Sequence, residues 1–200
     1  MHIAILTFDG FNELDSLIAL GILNRVKRPG WRVSIASPTP RVASMNGVVI
    51  DRHIPLREAN NVDAVLLGSG MKTRNIVADR SIMSQLSLNP ERQLIGAQCS
   101  GALMLAELGL LRDLPVCTDL TTKPWVQEAG AEVLNQAFFA RGDVASAGGC
   151  LASQYLAAWV LARLEGIEVA EAAIHYVAPV GEKDAYVERM MATIAPYLVA

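Results

Sequence analysis

Gln93-Leu94-Ile95-Gly96-Ala97-Gln98-Cys99-Ser100-Gly101-Ala102-Leu103-Met104-Leu105-Ala106 is the stretch on which the fold turns. Its first half is a short apolar run of the kind that forms a fully buried strand, ending at Ala97. A helical pattern begins at Ala102, which leaves no room for a loop. Cys99 therefore falls on a sharp strand-to-helix corner, the arrangement that lifts one nucleophile out of the backbone. Gly96 and Gly101 fit such a corner because a side chain there would clash with neighbouring backbone. The helix that follows directs its N-terminal amides at the sulfur, which favours a thiolate. The competing reading is a buried structural cysteine, since free cysteine is among the most buried residue types.

The chain around the corner alternates strand and helix. His2 to Phe8 reads as a buried strand, and Leu14 to Leu23 follows a helical repeat that breaks before Pro29-Gly30. Trp31 to Ser37 is a second strand. Arg41 to Ser44 and Val48 to Asp51 form a hairpin around Asn46-Gly47. Asp63 to Leu67 is a strand ending in Gly68-Ser69-Gly70, and a helix is expected from Arg74 to Leu88. Beyond the corner, Pro115 to Thr118, Glu132 to Leu134, Phe138 to Ala140 and Val144 to Ala147 read as strands. Helices are expected at Thr121 to Glu128, Cys150 to Leu164, Glu168 to Tyr176 and Lys183 to Ala195. This alternation predicts an α/β fold: a three-layer sandwich around a mostly parallel sheet, in a single domain spanning residues 1–200. Ligands bind such sheets beyond the carboxyl ends of the strands, where the loop after Phe8, Gly68-Ser69-Gly70 and the Cys99 corner meet.

Composition narrows the function classes. Apolar residues make up 52% of the 200-residue chain, which argues for a large packed core. The net charge is −3 and no Lys/Arg run occurs, so nucleic-acid binding has no electrostatic support. No apolar run approaches the roughly 20 residues that span a bilayer, so no membrane association is expected. The N-terminus has no charged segment and no cleavage site, and Cys99, Cys117 and Cys150 form no even framework. Reduced thiols in the cytoplasm are the expectation. No HxxxH, CxxC, GxGxxG or GxxxxGK pattern occurs, so neither a metal nor another cofactor is expected.

A cysteine needs a partner to move its proton. Asp15, and less directly Glu13, lie just past the first strand at the same sheet edge; Asp15 could equally be only a helix cap. Ser100 could supply a hydroxyl or its backbone amide, and Gly70 and Met71 could supply further oxyanion donors. The three histidines, His2, His53 and His175, are poorly placed for the corner.

These motifs together resemble the ThiJ/PfpI superfamily. The resemblance rests on Gly96-Ala97-Gln98-Cys99-Ser100-Gly101-Ala102 with its helix, on Phe8-Asp9-Gly10-Phe11 with Leu14-Asp15, and on Val144-Ala145-Ser146-Ala147-Gly148-Gly149. It implies the class I glutamine amidotransferase-like, flavodoxin-type sandwich, usually as a homodimer. The branch it looks most like is isonitrile hydratase, which converts an isonitrile to an N-substituted formamide. That branch implies Cys99 as nucleophile, Asp15 as proton carrier and a hydroxyl at Ser100. Ser100 also stands where a protease-like branch has histidine. Three departures stand out: Ile18-Ala19 replaces Gly-Pro, Gly68-Ser69-Gly70 replaces Pro-Gly-Gly, and Cys117-Thr118-Asp119-Leu120 replaces Thr-Thr-His-Trp. The alternatives are a ligand- or redox-sensing protein without catalysis, or another cysteine-dependent activity of the amidase or glyoxalase type.

Overall fold

Alternation within the buried strands decides which layer each side chain enters. The computed structural model describes residues 1–111 and 113–198. On β1 (His2–Leu6), Ile3 and Ile5 face one core and Ala4 and Leu6 the other. On β6 (Ala64–Leu67), Leu66 joins the first core and Val65 and Leu67 the second. Both faces are therefore apolar and both must be covered, which is why these strands read as unbroken hydrophobic runs. The first core is closed by α1 (Glu13–Leu23), α6 (Ser153–Glu165), α7 (Ile167–Val177) and α8 (Lys183–Ile194), with Trp159 fully buried at its centre. The second is closed by α2 (Thr73–Ala78), α4 (Gly101–Glu107) and α5 (Lys123–Glu128).

The remaining strands are β2 (Arg32–Ser37), β5 (Ile54–Pro55), β7 (Leu94–Gln98), β8 (Phe138–Arg141) and β9 (Val144–Ala147), and a hairpin of β3 (Arg41–Ala43) and β4 (Val49–Asp51) stands apart. The seven-stranded sheet runs β5-β2-β1-β6-β7-β9-β8. Every neighbouring pair is parallel except β8 with β9. The order β2-β1-β6-β7-β9 is the flavodoxin-like winding, so the expected α/β sandwich is what the chain forms. In that winding the direction reverses beside β1, and the crevice lies past the carboxyl ends of β1 and β6.

Several local expectations are corrected. The helix expected from Arg74 to Leu88 breaks at Asp79, whose extended backbone starts a separate short helix, α3 (Arg80–Met83). The Asp79 carboxylate caps it by accepting from the Ser81 amide at 2.8 Å, and side-chain capping of this kind competes with helix continuation. Pro115 to Thr118 and Glu132 to Leu134 contribute one bridge, Val116 with Val133, rather than strands. α6 begins at Ser153, after a 3-10 turn over Cys150–Ala152. The short strand β5 and the 3-10 turn Leu56–Asn61 carried no periodic signal. Among the described residues no helix is long and apolar enough to cross a membrane.

Candidate active site

The corner forms as its sequence requires. Cys99 has φ +46°, a left-handed conformation that is uncommon outside glycine and marks a strained turn. Its amide donates to the Ala147 carbonyl at 2.8 Å, and its own carbonyl accepts from Thr118 Oγ1 at 2.8 Å. Neighbouring elements thus hold the strain in place. The two glycines act differently. A Cβ on Gly101 would lie 2.4 Å from the Leu67 carbonyl oxygen, so only glycine lets α4 start against β6. A Cβ on Gly96 would meet the Leu66 and Leu156 side chains instead, so this position admits α6 to the sheet.

Asp15 does not cap its own helix. Asn12 takes that place, accepting from the Leu14 amide at 3.1 Å, and the Asp15 carboxylate turns inward. Asp15 is 2% exposed and Cys99 is 3% exposed. One oxygen of Asp15, Oδ2, accepts from the Ser69 hydroxyl. The other, Oδ1, is buried and has no hydrogen-bond partner among the described residues. Ser69, a departure from the family loop, is thus the side chain that tethers the carboxylate. Glu13, two residues earlier, points elsewhere and binds Ser44 and Asn46 of the hairpin.

Cys150, which the sequence did not single out, joins the pair. A carboxylate oxygen of Asp15 and the sulfurs of Cys99 and Cys150 all lie within 4.8 Å of one another. Asn12 Nδ2 donates to the Cys150 sulfur at 3.1 Å. Gln98 Nε2 donates to the Gly149 carbonyl at 2.9 Å and to the Cys99 sulfur at 3.5 Å, tying the two segments together. Local spacing excluded the familiar metal motifs; the fold assembles this cluster from residues far apart in sequence.

Burial sets the charges. It raises the Asp15 pKa, against the pull of the Ser69 hydroxyl and, more weakly, the two thiols. It also pushes the Cys99 thiol far up, and the nearby Asp15 charge pushes it further. The same two causes raise Cys150. The thiolate expected from the helix terminus is therefore not what these surroundings favour. Desolvation and a neighbouring carboxylate outweigh the amides of a short helix.

The other expected donors are committed within the protein. The Gly70 amide donates to Ser100 Oγ at 3.1 Å, and the Met71 amide donates to the Gly10 carbonyl at 3.0 Å. The Ser100 and Thr73 hydroxyls share a 2.7 Å hydrogen bond. Gly70 is needed for closeness: a Cβ there would sit 2.4 Å from the Gly10 carbonyl oxygen. The Ser100 backbone amide, beside Cys99, makes no hydrogen bond among the described residues. His2 contacts Ser34 and Arg32, His53 accepts from the Ile35 amide, and His175 faces Asp184. None reaches the corner.

Cys99 and Cys150 open on a cavity of about 410 Å³, with Met45, Met71 and Trp125 as apolar walls and Asp119 at its side. Among the described residues no Lys, Arg or His lines it. Asp119 accepts from the Thr121 and Thr122 amides at 2.9 Å and so caps the turn leading into α5. A larger cavity of about 550 Å³ between Arg25–Arg28 and α7 holds no cysteine.

Residues 1–163 match the DJ-1/PfpI family. The chain belongs to this family. A ThiJ/PfpI family protein from Pseudomonas syringae has a similar structure, with a TM-score of 0.78 at 18% identity, covering 98% of this chain and 87% of that one. DJ-1 from Schizosaccharomyces pombe gives 0.76 at 14% identity, covering 90% and 100%. A cysteine-to-alanine mutant of a DJ-1 superfamily protein from Salmonella typhimurium gives 0.75 at 24% identity, covering 89% and 98%. At these identities the likeness is one of fold. No curated protein sequence matches the chain significantly. DJ-1/PfpI members are cysteine-dependent enzymes or sensors.

Proposed function

We propose that the protein hydrates small neutral isonitriles to N-substituted formamides, with Cys99 as nucleophile and Asp15 as proton carrier. The observation that carries this reading is the burial of the Asp15 carboxylate beside the Cys99 sulfur, behind a pocket that Cys99, Cys150 and Asp119 line and that no basic side chain among the described residues enters. A raised carboxyl pKa suits a group that must take up and return a proton. A pocket with a carboxylate and no cationic side chain repels anions and accepts a neutral ligand, while Met45, Met71 and Trp125 suit its alkyl group.

The reaction divides into two balanced steps. As the Cys99 sulfur bonds to the terminal isonitrile carbon, Asp15 takes the thiol proton and delivers it to that carbon, giving a thioimidate. Water then adds to the thioimidate carbon, with Asp15 as base. The nitrogen gains a proton, the C–S bond breaks, and the formamide leaves with Cys99 returned as thiol. The Ser100 amide is positioned to donate to the oxygen that bears charge in the second step. Because burial and the Asp15 charge disfavour a standing thiolate, the thiol is stored protonated and gives its proton to Asp15 only as it attacks.

The test is turnover of cyclohexyl isonitrile by the wild type, Cys99→Ala and Asp15→Asn. Formamide production by the wild type that is lost in both variants supports the reading. No turnover by the wild type removes the substrate class, and turnover that survives Cys99→Ala removes the mechanism.

A second reading, peroxide sensing through a Cys99–Cys150 disulfide, is favoured by the closeness of the two sulfurs. Hydroperoxide would oxidise Cys99 to a sulfenic acid, and Cys150 would displace water from it. Loss of two titratable thiols per chain on peroxide treatment, absent in Cys150→Ser, supports it.

A further inference from the structure

Asp15, Cys99 and Cys150 offer three ligand atoms of the kind that bind thiophilic divalent cations, and we infer that they form a zinc-class site in the floor of the pocket. Two thiols and a carboxylate converge from the first turn of α1, the Cys99 corner and the 3-10 turn after β9, within 4.8 Å of one another. Tetrahedral zinc, with bonds of about 2.3 Å to sulfur and about 2.0 Å to oxygen, sets such atoms roughly 3.5–3.8 Å apart. The cluster therefore closes by no more than about 1.3 Å around the ion. A second observation points the same way. Among the described residues Asp15 Oδ1 has no nitrogen or oxygen donor, only the weak pull of the two thiols on its carboxylate, on a side chain that is only 2% exposed. Buried acceptors are satisfied in nearly all proteins, so an orphan one marks a missing donor or cation.

The surroundings favour a cation and discriminate among cations. Asp119 adds further negative charge, and no basic side chain among the described residues lines the pocket. Two sulfurs select zinc, cadmium or cobalt over magnesium and calcium, which prefer all-oxygen shells. Asn12 Nδ2, at 3.1 Å from the Cys150 sulfur, fixes one ligand from outside. Binding is balanced by loss of the two thiol protons to solvent, leaving a complex of one divalent ion with two thiolates and one carboxylate. The fourth position faces the cavity, as in sites with three protein ligands and an open place. The ion ties up the sulfur lone pair that attack would use. That zinc is therefore a reversible inhibitor rests on the proposed role of Cys99; the binding itself does not.

The experiment is titration of reduced, chelator-treated protein with Co²⁺ under nitrogen, followed by displacement with Zn²⁺. The wild type is expected to show a thiolate-to-cobalt charge-transfer band saturating at one equivalent per chain and bleached by Zn²⁺. Cys150→Ser should lose about half of that band and bind Zn²⁺ at least about tenfold more weakly, and Cys150→Ala should do the same if the serine variant is poorly folded. Cys117→Ser should match the wild type. A wild type with no thiolate band, or a band unchanged in both Cys150 variants, overturns the site. Isonitrile turnover by the metal-free wild type is read separately. Failure of hydration thus leaves the cobalt result standing, and failure of cobalt binding leaves the hydration result standing.

Discussion

Cys99 and Cys117 are both fully buried thiols on adjacent segments of one sheet edge, yet only one is placed for chemistry. The Cys117 amide donates to Ser146 Oγ at 2.8 Å, and burial pushes its thiol up to about 12. Burial also raises Cys99, and the Asp15 charge beside it raises it further. Neither environment favours a standing thiolate, so acidity does not separate them. What separates them is backbone and company. Cys99 sits at φ +46° on a corner that opens into a cavity, beside a carboxylate and a second sulfur. Cys117 is not among the residues lining that cavity. A buried cysteine becomes useful when a neighbour can take its proton at the moment of attack.

The contrast breaks most sharply with the two cysteines exchanged one at a time. Cys99→Ala is expected to reduce isonitrile turnover by more than about 10⁴-fold, measured as formamide formed per enzyme. Asp15→Asn keeps the shape and removes the proton carrier, and should cost about 10²–10⁴-fold in kcat. Gly101→Ala would push a methyl group into the Leu67 carbonyl, and should destabilise the fold by about 1–3 kcal/mol in urea unfolding.

The buried carboxylate also predicts a pH dependence of stability. The folded-state pKa of Asp15 is raised above its ordinary value of 3.8, so between that value and the folded pKa the native state holds the extra proton. Stability from this group is fully present below about pH 3.8 and is lost as pH rises through the folded pKa. Asp15→Asn should flatten that decline in unfolding midpoints measured across the acidic range. Cys117→Ser marks the small end of the series and should leave turnover unchanged.

Much of this site could be read along the chain, and the remainder could not for definite reasons. The Cys99 corner was legible because a buried strand, a turn and a helix follow one another without a gap. Asp15 was legible as an acid at the right sheet edge, though not as buried, because Asn12 takes the capping position that Asp15 could have filled. Cys150 was not legible. It lies far from Cys99 in sequence, and only the parallel pairing of β7 with β9, with Gln98 opposite Ala147, carries it to the corner. Ser69 stands in the sequence only as a departure from Pro-Gly-Gly, and its hydroxyl holds the Asp15 carboxylate. Gly70 and Met71 were read as amide donors to substrate, but their hydrogen bonds go to Ser100 and Gly10, a pairing set by tertiary contact. The helix expected over Arg74 to Leu88 failed for a local reason, a carboxylate able to start a new helix at Asp79.

The central claim is that Cys99, and neither of the other two cysteines, forms a covalent bond to substrate carbon. Its most direct measurement is peptide mass mapping after a brief exposure to cyclohexyl isonitrile with reductive trapping of the thioimidate. The expected result is a single adduct on the peptide containing Cys99, lost in Cys99→Ala. An adduct on Cys117 or Cys150, or formamide production that continues in Cys99→Ala, would contradict it.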